Sequence, residues 1–431
     1  MKINKNWIAF FIVFSIVLTS IPDYSYAIIA YADYAPTTIQ GSGGTYLMVF
    51  RQDRISNDVV VDQLLKSRTM RKLPTEFQIE EINDTVIMNI QFTYNESSYF
   101  INQTDVVLLN NIAYLFIAAQ DMTSNNVTFF VRTSADNGVS WGDLILLYNT
   151  TVEYSEDTYY TFDAINRNNE LILSYSYGLE VELGNFTTTL TVNDVLEIDP
   201  DLLEVTNVVY VPNGFGKDFE FYNYNENLLV IYSEESGLTH TLYFDQLDFN
   251  YNVVTNIYST DAPQNQLSLL KPTVTFWSNR FYIVAQDNLT DEFNIAQGII
   301  FHETYLWGVS FQATYGTFGL QPVTNTITNH IVIKGLDDID GYYRRDPSLT
   351  VYEGRLFLTF IVGRGNRFGG TGNPSVAFAF SADGDTWTNN FLGNYNLFVN
   401  LGTYFVIGTV GLFAVIYPSY LVYTKQIKGK K

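Results

Sequence analysis

The chain has 431 residues, carries 45 acidic against 23 basic side chains for a formal charge of −22, and contains no cysteine. That balance excludes nucleic acid and anionic lipid as charge-matched partners, and Ca²⁺ is the kind of small ion it attracts. The missing cysteines exclude a disulfide scaffold, so an exported chain of this length must be held by its own core.

In chain order, Lys2 and Lys5 precede an uncharged run over 7–18, and a polar stretch then ends in Ser25-Tyr26-Ala27. A basic start, a short apolar run and a small-x-small site are the pattern of a signal peptide, expected over 1–27. The run is short for a hydrocarbon core of about 30 Å, which argues against an anchor there.

Residues 28–396 show the periodicity of strands. Short runs rich in Val, Ile, Leu, Tyr and Phe alternate with Asn, Asp, Gly and Ser clusters. Six runs look alike: TYLMVFRQD, AYLFIAAQD, ELILSYSYG, NLLVIYSEE, RFYIVAQD and RLFLTFIVG, anchored at Tyr46, Tyr114, Leu171, Leu228, Phe281 and Leu356. KPTVTFWSNRF from Lys271 and DPSLTVYEGRL from Asp346 match as a strand, a turn and the start of the next strand. A period of about sixty residues in an all-β chain predicts a six-bladed β-propeller with four strands per blade. Ring closure is open between residues 28–35 adding an outer strand and each blade being complete in itself. The segments 68–103 and 317–343 are longer than a blade needs and are expected as insertions over one face.

Residues 401–423 carry no charge and are long enough to span a bilayer, and Lys425, Lys428, Lys430 and Lys431 follow at once. The positive-inside rule makes 401–423 a transmembrane helix, 424–431 a short cytoplasmic basic tail and 28–396 extracellular. The expected location is the cell membrane, single-pass.

Two motifs bear on the fold. SADNGVSW (Ser134, Asp136, Gly138, Trp141) has the spacing Ser-x-Asp-x-Gly-x-Ser-Trp, and SADGDTW (Ser381, Asp383, Trp387) is one residue shorter. In each the carboxylate suits the turn's own N–H groups and the Trp suits packing on the blade. A decayed third copy is expected around Trp307. With the six-fold strand repeat, these motifs resemble the sialidase-like Asp-box (BNR) β-propellers. The resemblance implies a structural role for the Asp-box residues and a functional site on the opposite face.

Towards that face, acids stand where second strands end: Asp53, Asp121, Glu235 and Asp287, with Asp58 close to the first. The last repeat is basic instead, with Arg344 and Arg345 entering it and Arg364 and Arg367 in a glycine-rich loop. Arg345-Asp346-Pro347-Ser348-Leu349 is similar to the element by which sialidases place a substrate arginine, and a planar guanidinium binds a sugar carboxylate through two parallel hydrogen bonds. The arginines are thus candidate substrate-binding residues, and Asp53 or Asp58 a candidate catalytic acid. The three histidines lack metal-ligand spacing, so no metal and no cofactor is expected, with Ca²⁺ the sole ion considered.

The expectation is a membrane-anchored surface propeller that binds a glycan or a cell-surface protein without catalysis. The alternatives are an exo-sialidase-type glycoside hydrolase and a structural cell-envelope protein.

Overall fold

The computed structural model describes residues 29–391, apart from 42–43, 57–58, 73–78, 156–157, 184–185, 213, 237–238, 262–268, 291–301, 317–318, 332–341 and 365–374. The signal-peptide segment 1–27, the transmembrane segment 401–423 and the tail 424–431 lie outside these residues. Among the described residues no helix is long and apolar enough to cross a membrane.

The fold is an all-β, six-bladed propeller. Blade 1 is β1 (Ile29–Gln40), β2 (Thr45–Ser56), β3 (Val59–Lys72) and β4 (Ile79–Asn89). Blade 2 is β6 (Ser97–Leu109), β7 (Ile112–Asp121), β8 (Asn126–Ser134) and β9 (Ile145–Glu153), and the short β5 (Gln91–Tyr94) pairs with the free edge of β6. Blade 3 is β10 (Tyr159–Arg167), β11 (Glu170–Leu183), β12 (Phe186–Asp199) and β13 (Glu204–Val211). Blade 4 is β14 (Asp218–Tyr224), β15 (Asn227–Ser236), β16 (Thr239–Leu247) and β17 (Val253–Asp261). Blade 5 is β18 (Leu269–Trp277), β19 (Arg280–Thr290), β20 (His302–Phe311) and β23 (Thr328–Ile331). A hairpin, β21 (Ala313–Gly316) and β22 (Gly319–Pro322), is inserted before its last strand. Blade 6 is β24 (Tyr342–Tyr352), β25 (Arg355–Arg364), β26 (Ser375–Ser381) and β27 (Trp387–Phe391).

The six sequence anchors all fall near the start of second strands, and all are buried: Tyr46, Tyr114, Leu171, Leu228, Phe281 and Leu356. The physical reason is that a second strand is covered on both faces. Leu47 and Val49 pack towards blade 2, whereas Tyr46, Met48 and Phe50 pack towards blade 6. Alternation of polar and apolar residues therefore disappears, and the strand reads as an unbroken apolar run. Six such clusters fill the six gaps between neighbouring blades.

Closure is by side chains, with each blade complete in itself. The stretch that could have added an outer strand is instead part of β1, the innermost strand of blade 1, which neighbours β24 and β6. At the seam Tyr46 meets Phe357 edge-on at 4.2 Å and Tyr352 Oη donates to the Gly44 carbonyl at 2.6 Å. The expected insertion at 68–103 proves to be regular blade: it holds the end of β3, all of β4 and β5, and the start of β6. The excess before β23 is partly a true insertion, because β21–β22 reaches across to blade 4, where Asn227 Nδ2 donates to Tyr315 Oη at 2.8 Å. Trp307 lies in the interior of β20 opposite Ala285, so it is no counterpart of the tryptophans that follow the third strands of blades 2 and 6.

Candidate functional site: the central channel

The first strand of each blade, β1, β6, β10, β14, β18 or β24, leaves one edge unpaired towards the axis, in β6 beyond the stretch Ser97–Phe100 that β5 covers. Edge N–H and C=O groups in a narrow channel need partners as much as those in a sheet interior do. One position per blade supplies them: Thr37, Asp105, Asp163, Glu220, Thr273 and Ser348.

Each of these side chains reaches sideways to the next blade. Asp105 Oδ2 accepts from the Ala164 N–H at 2.8 Å, Asp163 Oδ2 from the Phe221 N–H at 2.7 Å, and Glu220 Oε1 from the Val274 N–H at 3.0 Å. Thr273 Oγ1 accepts from the Leu349 N–H at 3.1 Å. Around blade 1 hydroxyls complete the circuit, with Thr38 Oγ1 and Ser348 Oγ at 2.6 Å and Thr37 Oγ1 donating to Asp105 Oδ1 at 2.7 Å. A further tier uses Tyr222, whose Oη accepts from the Phe276 N–H at 2.9 Å, and Asn223, whose Nδ2 donates to the Asn166 carbonyl at 3.2 Å. The polar ring is thus first a staple between blades.

In blades 1, 5 and 6 the ring residue follows a proline: Ala35-Pro36-Thr37, Lys271-Pro272-Thr273 and Asp346-Pro347-Ser348. The residue before each proline has a positive φ (43°, 46° and 52°), and the pairing with the second strand shifts register there. These bulges bring the hydroxyl to the level that a carboxyl occupies on blades 2, 3 and 4.

The carboxyls are unequal. Burial raises Asp105 above the ordinary carboxylate range, opposed by hydrogen bonds from Thr37, Ala164 and Val106. Burial raises Asp163 further, and repulsion from Asp105 and Glu220 adds to it. Glu220 is pushed up to about 8 by burial, against hydrogen bonds from Val274 and Thr273, with Asp105 adding repulsion. All three ring carboxyls are thus held above the ordinary carboxylate range, because burial penalises their charged forms.

The ring is one end of a cavity of about 330 Å³. No lining residue precedes the ring in its strand, and the lining continues to Ile39, Leu108, Asn166, Asn223, Thr275 and Thr350, each within two residues of the end of its inner strand. The cavity therefore extends towards the face of the first-to-second-strand turns. That face also carries the Ser134–Asp136 and Ser381–Asp383 turns, whereas sequence reasoning put the site on the other one.

At the first of those turns Ser134 Oγ donates to Asp136 Oδ1 at 2.8 Å, the Ser140 N–H donates to the same oxygen at 2.8 Å, and Gly138 adopts φ 81°. Trp141 Nε1 donates to Ser67 Oγ at 3.1 Å, and Ser67 in turn donates to the Gly138 carbonyl at 2.7 Å, which ties the turn to blade 1. Partial burial acts against it, yet the Ser140 and Ser134 hydrogen bonds hold Asp136 below its ordinary range. At the second turn the Thr386 and Asp385 N–H groups hold Asp383 down at about 2, Gly384 takes φ 84°, and Trp387 packs into the gap between blades 5 and 6.

Of the predicted site residues, Asp53 is buried in β2, where it binds Arg51 Nε at 2.8 Å and Gln63 Nε2 at 3.2 Å; it is not among the channel residues. Asp121 caps its own turn, accepting from the Thr123 N–H at 2.8 Å. Arg344 and Arg345 belong to the backbone of β24 and Arg364 ends β25, but their side chains, and all of Asp58 and Arg367, lie outside the described residues. Tyr251 Oη donates to Glu197 at 2.9 Å, but that pair is buried between blades 3 and 4 away from the channel, whereas Tyr222 and Glu220 line the channel two residues apart on β14. Among the described residues no group of His, Cys, Asp or Glu is arranged to hold a metal ion.

Asp105, Asp163 and Glu220 were not singled out by the sequence. The signal was present: aligning TDVV, FDAI and FEFY with PTVT and PSLT puts all three at the hydroxyl position of the KPT/DPS match.

No family model matches the chain, and no curated protein matches it. Among solved structures, an α-L-arabinofuranosidase of Fusarium graminearum superposes with a TM-score of 0.49 at 10% identity, over 83% of this chain and 94% of that one. A β-fructofuranosidase of Bombyx mori gives 0.43 at 11% identity, over 69% of this chain and 63% of that one. A thermostable family-43 glycoside hydrolase gives 0.41 at 12% identity, over 68% of this chain and 93% of that one. This chain thus spans less than two thirds of the Bombyx enzyme's length. Likeness at these identities carries nothing about activity, and the blade count stands on the sheets themselves.

Proposed function

We propose that the protein is a membrane-anchored surface propeller that binds a neutral, polyhydroxylated ligand of the glycan class in its central channel without turning it over. The observation behind this reading is the ring at the cavity floor. Hydroxyls suffice to staple blades 5 and 6, so three consecutive carboxyls at Asp105, Asp163 and Glu220 exceed what stapling requires. A carboxyl whose protonated form burial favours can donate to a ligand hydroxyl as well as accept from one, and all three ring carboxyls are raised in this way. Each carboxyl also has an oxygen committed to a neighbouring blade, which suits binding more than proton transfer.

The same ring bears on the sialidase-type alternative. The described lining offers three carboxyls and no basic residue, so an acidic sugar would have to be gripped elsewhere, by Arg344, Arg345, Arg364 or Arg367. The Asp-box reading of the two Ser-x-Asp turns belongs to this proposal, supported by their hydrogen bonds. The anchor rests on the uncharged segment 401–423 and the lysines after it. Retention of the full chain in membranes washed with alkaline carbonate tests the anchor.

Hydrolysis of a neutral glycoside is the second reading, favoured by one observation: Glu220, pushed up to about 8, shares the channel with Asp105. A protonated acid and an ionised carboxylate are the groups such chemistry needs. Assay of the purified full-length protein on a panel of fluorogenic neutral glycosides and a sialoside decides. The binding reading predicts no turnover on any of them, and turnover abolished by Glu220→Gln would replace it with the enzymatic one.

A further inference from the structure

One face of the propeller carries exposed aliphatic side chains on blades 1 and 3, and the last described strand, β27, runs towards that same face. In blade 3 the flanking strands stop at the pairs Tyr159↔Tyr177 and Asn193↔Val211, but β11 and β12 stay paired to Leu183↔Phe186. Beyond Gly178 and Thr191, which still bond to flanking backbone, five residues of each strand stand clear as a two-stranded arm, about 17 Å long at 3.3 Å per residue. Measured from the ring, β11 rises nine residues to Leu183, whereas the second strands of the neighbouring blades rise five, from Phe116 to Asp121 and from Ile231 to Ser236.

Leu179 and Leu190 face each other across the arm, and both are exposed. The same side of β11 below them carries Tyr175 and Tyr177, which pack against blade 2; blade 2 ends too low to cover the leucines. The hairpin of blade 1 points the same way, with Val60 and Val61 near its tip. All four aliphatics are between 40 and 50% exposed.

Strand direction fixes the anchor's side. β27 pairs antiparallel with β26 from Ser381↔Trp387 to Ala377↔Phe391, so it runs towards the level where β25 ends and β26 begins, the face of the arm. Nine residues, 392–400, then remain before the uncharged segment, a reach of about 30 Å when extended. Blade 6, which ends in β27, lies opposite blade 3 in the ring.

We propose that this face rests on the bilayer, with Val60 and Val61 of blade 1 and Leu179 and Leu190 of blade 3 seated at the lipid interface. The inference builds on the membrane-anchored reading. It has a consequence for the channel: the described cavity extends towards the other face, so it opens away from the membrane. Aliphatic side chains at the ends of a polar body gain from partial burial among headgroups and acyl chains. Asp62 and Glu180 on the same elements make a zwitterionic surface the better match than an anionic one.

The test uses the full-length protein in phosphatidylcholine vesicles. The chain has no cysteine, so Leu190→Cys, Val60→Cys and, on the opposite face, Val139→Cys each give a single site for an environment-sensitive fluorophore. With brominated phosphatidylcholine as quencher, the labels at 190 and 60 are expected to be quenched at least severalfold more than the label at 139. Protein that stays in the vesicles through an alkaline carbonate wash, but shows equal quenching at the three sites or stronger quenching at 139, overturns the docking while leaving the anchor intact. Release by carbonate overturns both. Disulfide cross-linking between two copies at position 190 makes a second copy the occupant, and a glycan on Asn185, in the sequon between the two strands, also overturns lipid docking.

Discussion

Asp163 and Asp383 perform the same local task, accepting a backbone N–H, and are driven in opposite directions by where they do it. Asp383 sits on an exposed turn and takes the N–H groups of its own loop, so its charge is hydrated, fully satisfied and held down at about 2. Asp163 takes the N–H of a neighbouring blade inside a channel, where burial and two other carboxyls push it up. A turn carboxylate organises residues next to it in sequence, while a ring carboxyl organises residues about sixty positions away. The first stabilises by being charged. The second holds the ring together even though part of its charge is suppressed, and what remains unspent faces the cavity.

This contrast can be broken at either end. The largest effect is expected at the ring. Asp105→Ala leaves the Ala164 N–H without its acceptor and removes the partner of Thr37, at a cost of about 1–3 kcal/mol in unfolding free energy measured with denaturant. Asp105→Asn keeps an acceptor and should cost less, and an equal loss in both would count against the stapling role. Gly138→Ala is expected next. It forces a side chain into φ 81° and towards Leu47, costing about 1–2 kcal/mol in the same measurement.

pH gives a smaller effect with a definite sign. Glu220 is held at about 8 against an ordinary 4.5, so the folded state binds protons more tightly than the unfolded chain between those values. Stability from the ring is therefore expected to fall as pH rises from about 5 to about 8, and the melting temperature should follow. The double variant Asp163→Asn, Glu220→Gln should flatten that slope, and an unchanged slope would show that other groups set it. Asp383 works the other way and least: its contribution is present above about 4 and is lost as pH falls towards 2. On so exposed a turn, Asp383→Asn should shift the melting temperature only slightly.

The architecture was legible because second strands are buried on both faces, and six apolar runs at a period near sixty residues can hardly arise otherwise. The inner strands were harder to read. Their polar residues are dictated by an unpaired edge in a ring, and no local pattern announces a ring. The KPT and DPS segments exposed two of the six positions, and the proline bulge that they share with APT concealed the register that links them to Asp105, Asp163 and Glu220. Asp53 looked like a site residue because it ends an apolar run, yet its neighbour two positions back, Arg51, consumes it. The direction of β27 followed from strand counting alone. The side of the ring on which the cavity lies needed coordinates.

The most direct test of the account is a glycan array probed with the full-length protein in detergent, wild type beside Glu220→Ala. The account predicts retention on neutral oligosaccharides, little on sialylated ones, and at least tenfold weaker retention for the variant. Preference for sialylated glycans, or retention indifferent to Glu220, would contradict the channel ring as the binding site.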